Sequence, residues 1–88
     1  MAVAVHGTTT ANVVTTVTID VGGFGGFVVV NRDQTGEIWV RYDGVNPVAL
    51  ADDSFVVLGA RQFDVRRKGN IQVRLLSTVA RAYSVEAS

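Results

Sequence analysis

The chain has 88 residues, of which 48% are hydrophobic, and its eight acidic residues balance its eight basic ones to give a formal net charge of zero. A zero net charge argues against the basic surface that bulk nucleic-acid binding needs. The sequence contains no cysteine, which excludes disulfides and thiolate metal ligands, and it has no apolar run near the roughly 20 residues of a membrane-spanning helix.

The N-terminal third is predicted to contain an arm, two strands and a loop. Residues 1–11 are apolar and then Thr-rich without a helical period, which indicates an extended arm that pairs at a sheet edge. Residues 12–21 alternate β-branched side chains and predict the first firm strand. Four glycines surround Phe24 in residues 22–26, so this stretch predicts a loop. Residues 27–31 are apolar on both faces, as an internal strand is.

The strand over residues 37–42 contains the only tryptophan of the chain. Alternation places Ile38 and Val40 on one face and Trp39 on the other. Residues 43–47, which include Asp-Gly and Asn-Pro, supply turn chemistry that ends the strand. The position of this strand in the chain predicts that it is central and covered on both faces.

The C-terminal half is predicted to contain four more short strands. The longest connection, residues 45–54, leads to an apolar strand over residues 55–58. A Gly-Ala break separates it from a strand over residues 61–65. Residues 71–76 alternate cleanly, and residues 80–86 form the last strand of the pattern.

Seven or eight short strands spaced about 8–12 residues apart are typical of a sandwich or a small barrel. We therefore predict an all-β fold, in which the arm precedes one domain over residues 12–88. This domain is expected to be a small antiparallel β-sandwich, Ig-like or jelly-roll-like. The candidate core residues are Val17, Ile19, Val29, Ile38, Trp39, Val40, Phe55, Val57, Phe63, Ile71, Val73, Leu75, Tyr83 and Val85.

The composition also favours association. A domain of this size buries only about 60–65% of the surface of its unfolded chain, so its core is thin. The mean hydropathy of +0.28 is high for such a surface-rich domain. A zero net charge removes the repulsion that keeps copies apart. We expect the chain to bury further surface against neighbours. The alternative is a β domain whose high mean hydropathy reflects only its many valine residues.

The ionisable residues do not form a recognisable catalytic or metal-binding pattern. His6 is the only histidine, which is too few for zinc and a poor start for nucleophilic catalysis. Asp43, Asp52 and Asp53 could converge on calcium, although turn geometry explains them as well. Glu37 and Asp43 lie at opposite ends of one strand, unlike a glycosidase pair. We predict no enzyme activity, no metal and no cofactor.

Candidate interface residues lie in the arm and in two loops. Phe24 is interpreted either as an exposed anchor for a partner or as a cap that folds back on the sandwich. The glycine loop lacks the Lys-Ser/Thr of a phosphate-binding loop. The basic turn at residues 66–68 is interpreted either as a solvated turn or as a contact for an acidic patch or a phosphate. The candidate interface residues are Val3, Val5, His6, Phe24, Arg66, Arg67 and Lys68.

Several short motifs resemble a known group of proteins over residues 28–86. The motifs are Val30-Asn31-Arg32-Asp33, Ile38-Trp39-Val40-Arg41-Tyr42-Asp43-Gly44-Val45-Asn46-Pro47, Asp53-Ser54-Phe55-Val56-Val57, Val73-Arg74-Leu75-Leu76-Ser77 and Tyr83-Ser84-Val85-Glu86. In this pattern the chain resembles small β-sandwich virion proteins of tailed bacteriophages, particularly those of actinobacterial hosts. The arm and the glycine loop fall outside the pattern.

The resemblance implies a structural role in a virion, most simply as a capsid decoration (cement) protein. It implies the major capsid protein and further copies of the chain as partners, with a trimer as one option, and a place on the capsid surface after synthesis in the host cytoplasm. No nucleic-acid or membrane partner is expected. Removal of the arm is expected to leave the domain folded and to weaken attachment. The alternatives are a tail or head–tail connector component, or a carbohydrate- or receptor-binding module that uses Trp39 or Phe24.

Overall fold

The computed structural model describes residues 4–22, 24–48, 55–67 and 69–88. Within these residues the chain forms strands and turns but no helix, which confirms the all-β prediction. The strands are β1 (Ala4–Thr8), β2 (Thr15–Asp20), β3 (Phe27–Asn31), β4 (Glu37–Arg41), β5 (Phe55–Leu58), β6 (Gln62–Val65), β7 (Asn70–Leu76) and β8 (Ala82–Ala87).

The strands form two antiparallel sheets of four. The first sheet has the order β1-β8-β3-β6, and the second has the order β2-β7-β4-β5. Each strand of the N-terminal half pairs with one of the C-terminal half: β1 with β8, β2 with β7, β3 with β6 and β4 with β5. The chain therefore folds as one long antiparallel ribbon whose successive segments alternate between the sheets. This wrapping is that of a jelly roll, so the strand order selects one of the two predicted sandwich types.

The core lies between the inward faces of the two sheets. All but two of the predicted core residues are buried. Phe63 is half-buried and packs against the core. Phe55 is 44% exposed, which corrects its assignment to the core. The physical reason is its position, because Phe55 is the first residue of β5, and β5 is an edge strand with a neighbour on one side only.

Trp39 is buried on the face of β4 that points away from the core. β4 lies between β7 and β5, and its Ile38 and Val40 are fully buried in the core. Trp39 alternates to the outer face, where it lies opposite Leu76 on β7 and Val56 on β5. Its side chain is nevertheless only 4% exposed. The prediction that this strand is central and covered on both faces is confirmed.

The chain that follows β4 is fastened to β7. Arg74 on β7 donates from Nη1 to Oδ1 of Asn46 at 2.7 Å. Pro47, the next residue, is buried. The start of the long connection therefore lies against the second sheet near its outer face.

The segment predicted to be an arm contains β1, which is an edge strand of the first sheet. β1 pairs with β8 over five residue pairs. Val5 is half-buried and packs against the core, so this predicted interface residue contributes to the domain's own interior. Thr9 follows β1 and is buried, with its hydroxyl 2.5 Å from Oγ of Ser77. The same hydroxyl accepts from the N–H of Arg81 at 2.9 Å.

A buried asparagine joins the two sheets. Asn31 at the end of β3 is fully buried, and its Nδ2 donates to the carbonyl oxygen of Val57 on β5 at 3.1 Å. Its Oδ1 accepts from the N–H of Asp33 at 3.1 Å, which shapes the turn after β3. Because both ends of the amide are satisfied, burial of this polar group carries little penalty. The asparagine of the Asn-Arg-Asp motif therefore stabilises the fold of this chain.

Candidate functional site

Three aromatic rings close one side of the sandwich between β4, β5 and β6. Phe55 stacks on Tyr42 with ring centroids 5.6 Å apart and on Phe63 with centroids 4.6 Å apart. Tyr42 also meets Phe27 edge to face at 5.6 Å. Phe55 thus stacks on two other rings, and two of the three rings, Tyr42 and Phe63, also pack against the core. The row therefore closes this side of the core.

Among the described edge strands, β5 exposes the most apolar surface. We name this strand, Phe55–Leu58, the β5 edge. On it, Val56 is 40% exposed and Leu58 is 53% exposed, while Val57 is buried in the core. No polar side chain interrupts the strand. An exposed apolar edge strand is a usual template for pairing with another chain.

A shallow cavity of about 160 Å³ lies beside the aromatic row. It is lined by Arg41, Tyr42, Asp43 and Phe55. Arg41 donates from Nε to Oδ1 of Asp43 at 3.1 Å and from Nη2 to the other carboxylate oxygen. The guanidinium of Arg67 lies 5.8 Å from the centre of the Tyr42 ring. The charged groups at the cavity thus compensate each other, which suits a fixed surface better than acid–base chemistry.

Asp43 also closes the turn after β4. Its Oδ1 accepts from the N–H of Val45 at 3.2 Å, and Gly44 between them has a φ of 84°. A side chain would be strained at that angle, which explains the Asp-Gly pair. The hydrogen bond from Arg41 is the largest cause that lowers the pKa of Asp43 to about 2, against an opposing contribution from desolvation.

This pKa predicts how stability depends on acid. The pKa of Asp43 falls from 3.8 to about 2 on folding, so its ionised form favours the folded state. That contribution is complete above the unfolded value and is lost as the pH falls from about 4 to about 2. The urea concentration at the midpoint of unfolding should therefore fall more between about pH 5 and about pH 2 in the wild type than in Asp43→Asn. Asp64→Asn, which changes an exposed carboxylate on β6, is the control. Equal drops in wild type and Asp43→Asn would contradict this assignment.

His6 lies in a small cluster on the outer face of the first sheet. Its Nδ1 is 2.6 Å from Oγ of Ser84, and its Nε2 is 3.9 Å from Oε1 of Glu86. A hydroxyl beside an imidazole is the beginning of a nucleophile–base pair. Ser84, however, is only 3% exposed, which leaves a substrate little room. The cluster is best interpreted as a cross-strand contact that holds β1 on β8.

Phe24, in the glycine loop, is 47% exposed. The loop is fastened to the C-terminus, because the N–H groups of Gly25 and Gly26 both donate to the carbonyl oxygen of Ser88. A Cβ at Gly26 would lie 1.9 Å from the carbonyl oxygen of Val65, so this position requires glycine. Phe24 is therefore held in place with half of its side chain exposed.

The basic turn contributes contacts within the domain. Arg66 donates to the carbonyl oxygen of Ser88 at 3.3 Å, and Arg67 donates to that of Tyr42 at 3.5 Å. Both residues are exposed. Arg67 therefore lies beside the aromatic row and Arg66 beside the glycine loop, and both remain candidates for an acidic partner.

Five residues named from the sequence lie outside the described part of the chain: Val3, Asp52, Asp53, Ser54 and Lys68. Among the described residues, no group of three His, Asp or Glu side chains is arranged to hold a metal ion. In the same part of the chain, no helix is long and apolar enough to cross a membrane.

Comparisons of the chain with protein-family models, with curated proteins and with solved structures give no match.

Proposed function

We propose that this chain is a structural component of a bacteriophage virion, and specifically a capsid decoration protein that binds the outer surface of the major capsid shell. The motif resemblance over residues 28–86 supports this role. In the structure, several motif residues hold the fold: Asn31 joins the sheets, Asp43 closes a turn and Tyr83 is buried in the core. A pattern of this kind is typical of a scaffold that acts through its surface.

The observation that carries the proposal is the exposure of the β5 edge in a chain without net charge. Val56 and Leu58 leave a large part of their apolar surface exposed on β5, the last strand of the second sheet among the described residues. Small monomeric proteins usually protect such an edge with charge or cover it. In a shell, a weak contact repeated over many copies gives strong overall attachment. A protein that works in such an array can use an apolar edge that a free monomer would avoid.

The fold alone does not select the function. Jelly rolls occur in viral capsid proteins, in lectins and in cupins, so the fold is compatible with several roles. The carbohydrate-binding alternative is weakened at Trp39, which is almost completely buried, whereas Phe24 is about half exposed. A tail or connector component on the same fold remains the alternative, and a low copy number per virion would favour it.

The test compares particles with and without the protein. Virions that lack the protein are expected to release their DNA at a lower temperature than complete virions. When the salt concentration is lowered stepwise, they are also expected to release their DNA earlier, at a higher salt concentration. Adding back the purified wild-type chain should restore stability, and saturation should need hundreds of copies per particle (on the order of one per surface site). Particles that are equally stable without the protein would overturn the decoration role.

A further inference from the structure

We propose that the site on β8 that holds β1 also accepts β1 of a second copy of this chain, so that two copies exchange their first strands reciprocally. In such a dimer β1 keeps its contacts, but the partner copy supplies them. The inference goes beyond the proposed function, because it concerns contacts between copies of the chain and does not depend on attachment to a capsid.

The first argument is that β1 is joined to the domain mainly through one ladder. It pairs with β8 over five residue pairs, and the strand order leaves its other side without a neighbour among the described strands. None of its side chains is fully buried, and its contact with the core is made by the half-buried Val5. β1 can therefore separate from β8 as a unit while the other described strands keep their pairing.

The second argument is that the site on β8 selects the sequence of β1. A Cβ at Gly7 would lie 2.8 Å from Oη of Tyr83, so a strand that pairs here needs glycine at this position. The preceding residue, His6, has its Nδ1 2.6 Å from Oγ of Ser84. The site therefore fits an apolar residue, a histidine and a glycine in succession, as in β1. A second copy carries this sequence, which identifies it as the partner.

The third argument concerns the connection between β1 and β2, which contains a left-handed residue. Asn12 has a φ of 60°, a conformation that is unfavourable for residues other than glycine, although asparagine tolerates it better than most. Its N–H donates to the carbonyl oxygen of Ser77 at 2.8 Å, and the N–H of Val13 donates to that of Thr10 at 3.1 Å. This turn directs β1 back onto its own copy. An extended connection loses both bonds but relieves the left-handed backbone.

The balance between the closed and exchanged forms depends on concentration. Because β1 makes the same contacts in both forms, they differ at the connection and in the cost of bringing two copies together. A short linker holds a strand near its own site at an effective concentration in the millimolar range. The monomer is therefore expected to predominate at micromolar concentration, and exchange is expected at about millimolar concentration or where copies are crowded on one surface.

The test uses two single-cysteine variants, because the chain has no cysteine of its own. Thr8 and Ala82 lie opposite each other in the ladder between β1 and β8. A Thr8→Cys chain and an Ala82→Cys chain are unfolded together in urea, refolded at about millimolar concentration and oxidised in a glutathione buffer. Exchange places the two cysteines of different copies within reach of a disulfide. Mass spectrometry of isotopically labelled chains measures the mixed disulfide.

Two controls set the scale of this result. The mixed disulfide should exceed by at least about tenfold the one that Ala82→Cys forms with Val45→Cys, because the latter pair meets only by collision. Val45 is 50% exposed in the turn after β4. A single chain that carries both Thr8→Cys and Ala82→Cys should close the bond internally at micromolar concentration. Failure of this internal bond would overturn the pairing of β1 with β8 and the proposal with it.

A pair of variants at Asn12 tests the role of the connection. Asn12→Pro cannot adopt a positive φ and has no N–H for the carbonyl oxygen of Ser77, so it should raise the association constant at least about tenfold. Asn12→Gly keeps the N–H and adopts a positive φ freely, so it should remain as monomeric as the wild type or more so. Sedimentation equilibrium of the full chain measures association, and circular dichroism checks that each variant is folded.

The proposal is overturned if the mixed disulfide of Thr8→Cys and Ala82→Cys is no more frequent than that of the control pair. It is also overturned if a folded Asn12→Pro chain associates no more than Asn12→Gly does. If Asn12→Pro does not fold, the ratio of the two mixed disulfides decides alone. Neither measurement involves a capsid, so failure of the exchange would leave the decoration role intact.

Discussion

Replacing Trp39 with alanine is expected to lower the free energy of unfolding by about 3–5 kcal/mol, the cost of removing a large buried aromatic side chain. Trp39 is 4% exposed although it lies on the outer face of its sheet. Its neighbours across the sheet are Leu76 and Val56, and the substitution would leave both beside a cavity. The loss should appear as a lower urea midpoint, with the slope of the transition unchanged.

Two controls define what this result means. Phe24→Ala removes an aromatic ring that is half exposed, so its cost in the isolated domain should stay below about 1 kcal/mol. Trp39→Phe keeps most of the apolar volume and should cost less than Trp39→Ala. A Trp39→Ala variant as stable as the wild type would mean that the outer face of β4 is covered by a partner and not by the domain itself.

Period-two alternation made the interior strands predictable from sequence. Ile71, Val73 and Leu75 face inward on β7 as the pattern indicates, and all three are buried. In a strand that is buried on one face and exposed to solvent on the other, every second side chain is apolar. The sequence therefore shows which face is buried. The strands β3 and β5 begin and end at the predicted residues, because glycines and polar residues bound their apolar runs in the sequence.

The position of a strand within its sheet was not predictable in the same way. β5 and β3 are both apolar on each face, a composition that usually indicates an internal strand. β3 is internal, whereas β5 lies at an edge, and Phe55 is exposed for that reason. Strand order depends on pairings between distant parts of the chain. These long-range pairings produce no recognisable pattern in a short stretch of sequence.

The contacts at the candidate sites depend on the same distant pairings. His6 meets Ser84 across 78 residues of sequence, and Asn31 meets Val57 across 26. In a single sequence, His6 looks like part of an arm, and nothing marks Asn31 or Ser84, which lie in predicted strands, as contact residues. The exposed pair of Val56 and Leu58 was missed as a candidate interface because apolar residues in a short strand are normally core.

Deleting residues 1–11 is expected to destabilise the domain at least as much as Trp39→Ala does, which reverses the expectation of a dispensable arm. The deletion removes β1 and so uncovers β8 along its whole paired length. It takes away Val5 from the core and the hydroxyl of Thr9, which holds Ser77 and Arg81. Both the apolar contacts and the buried hydrogen bonds of the first sheet are lost together.

Thermal unfolding followed by circular dichroism tests this expectation, because a lost strand should lower Tm and weaken cooperativity. Gly7→Val is a point variant with the same target, since a Cβ at Gly7 would lie 2.8 Å from Oη of Tyr83 and would push β1 off the core. Thr8→Ala changes an exposed side chain of the same strand and should unfold like wild type. If the truncated chain kept the Tm and cooperativity of the full chain, β1 would be an accessory strand, and the remaining strands of the described residues would stabilise the domain without it.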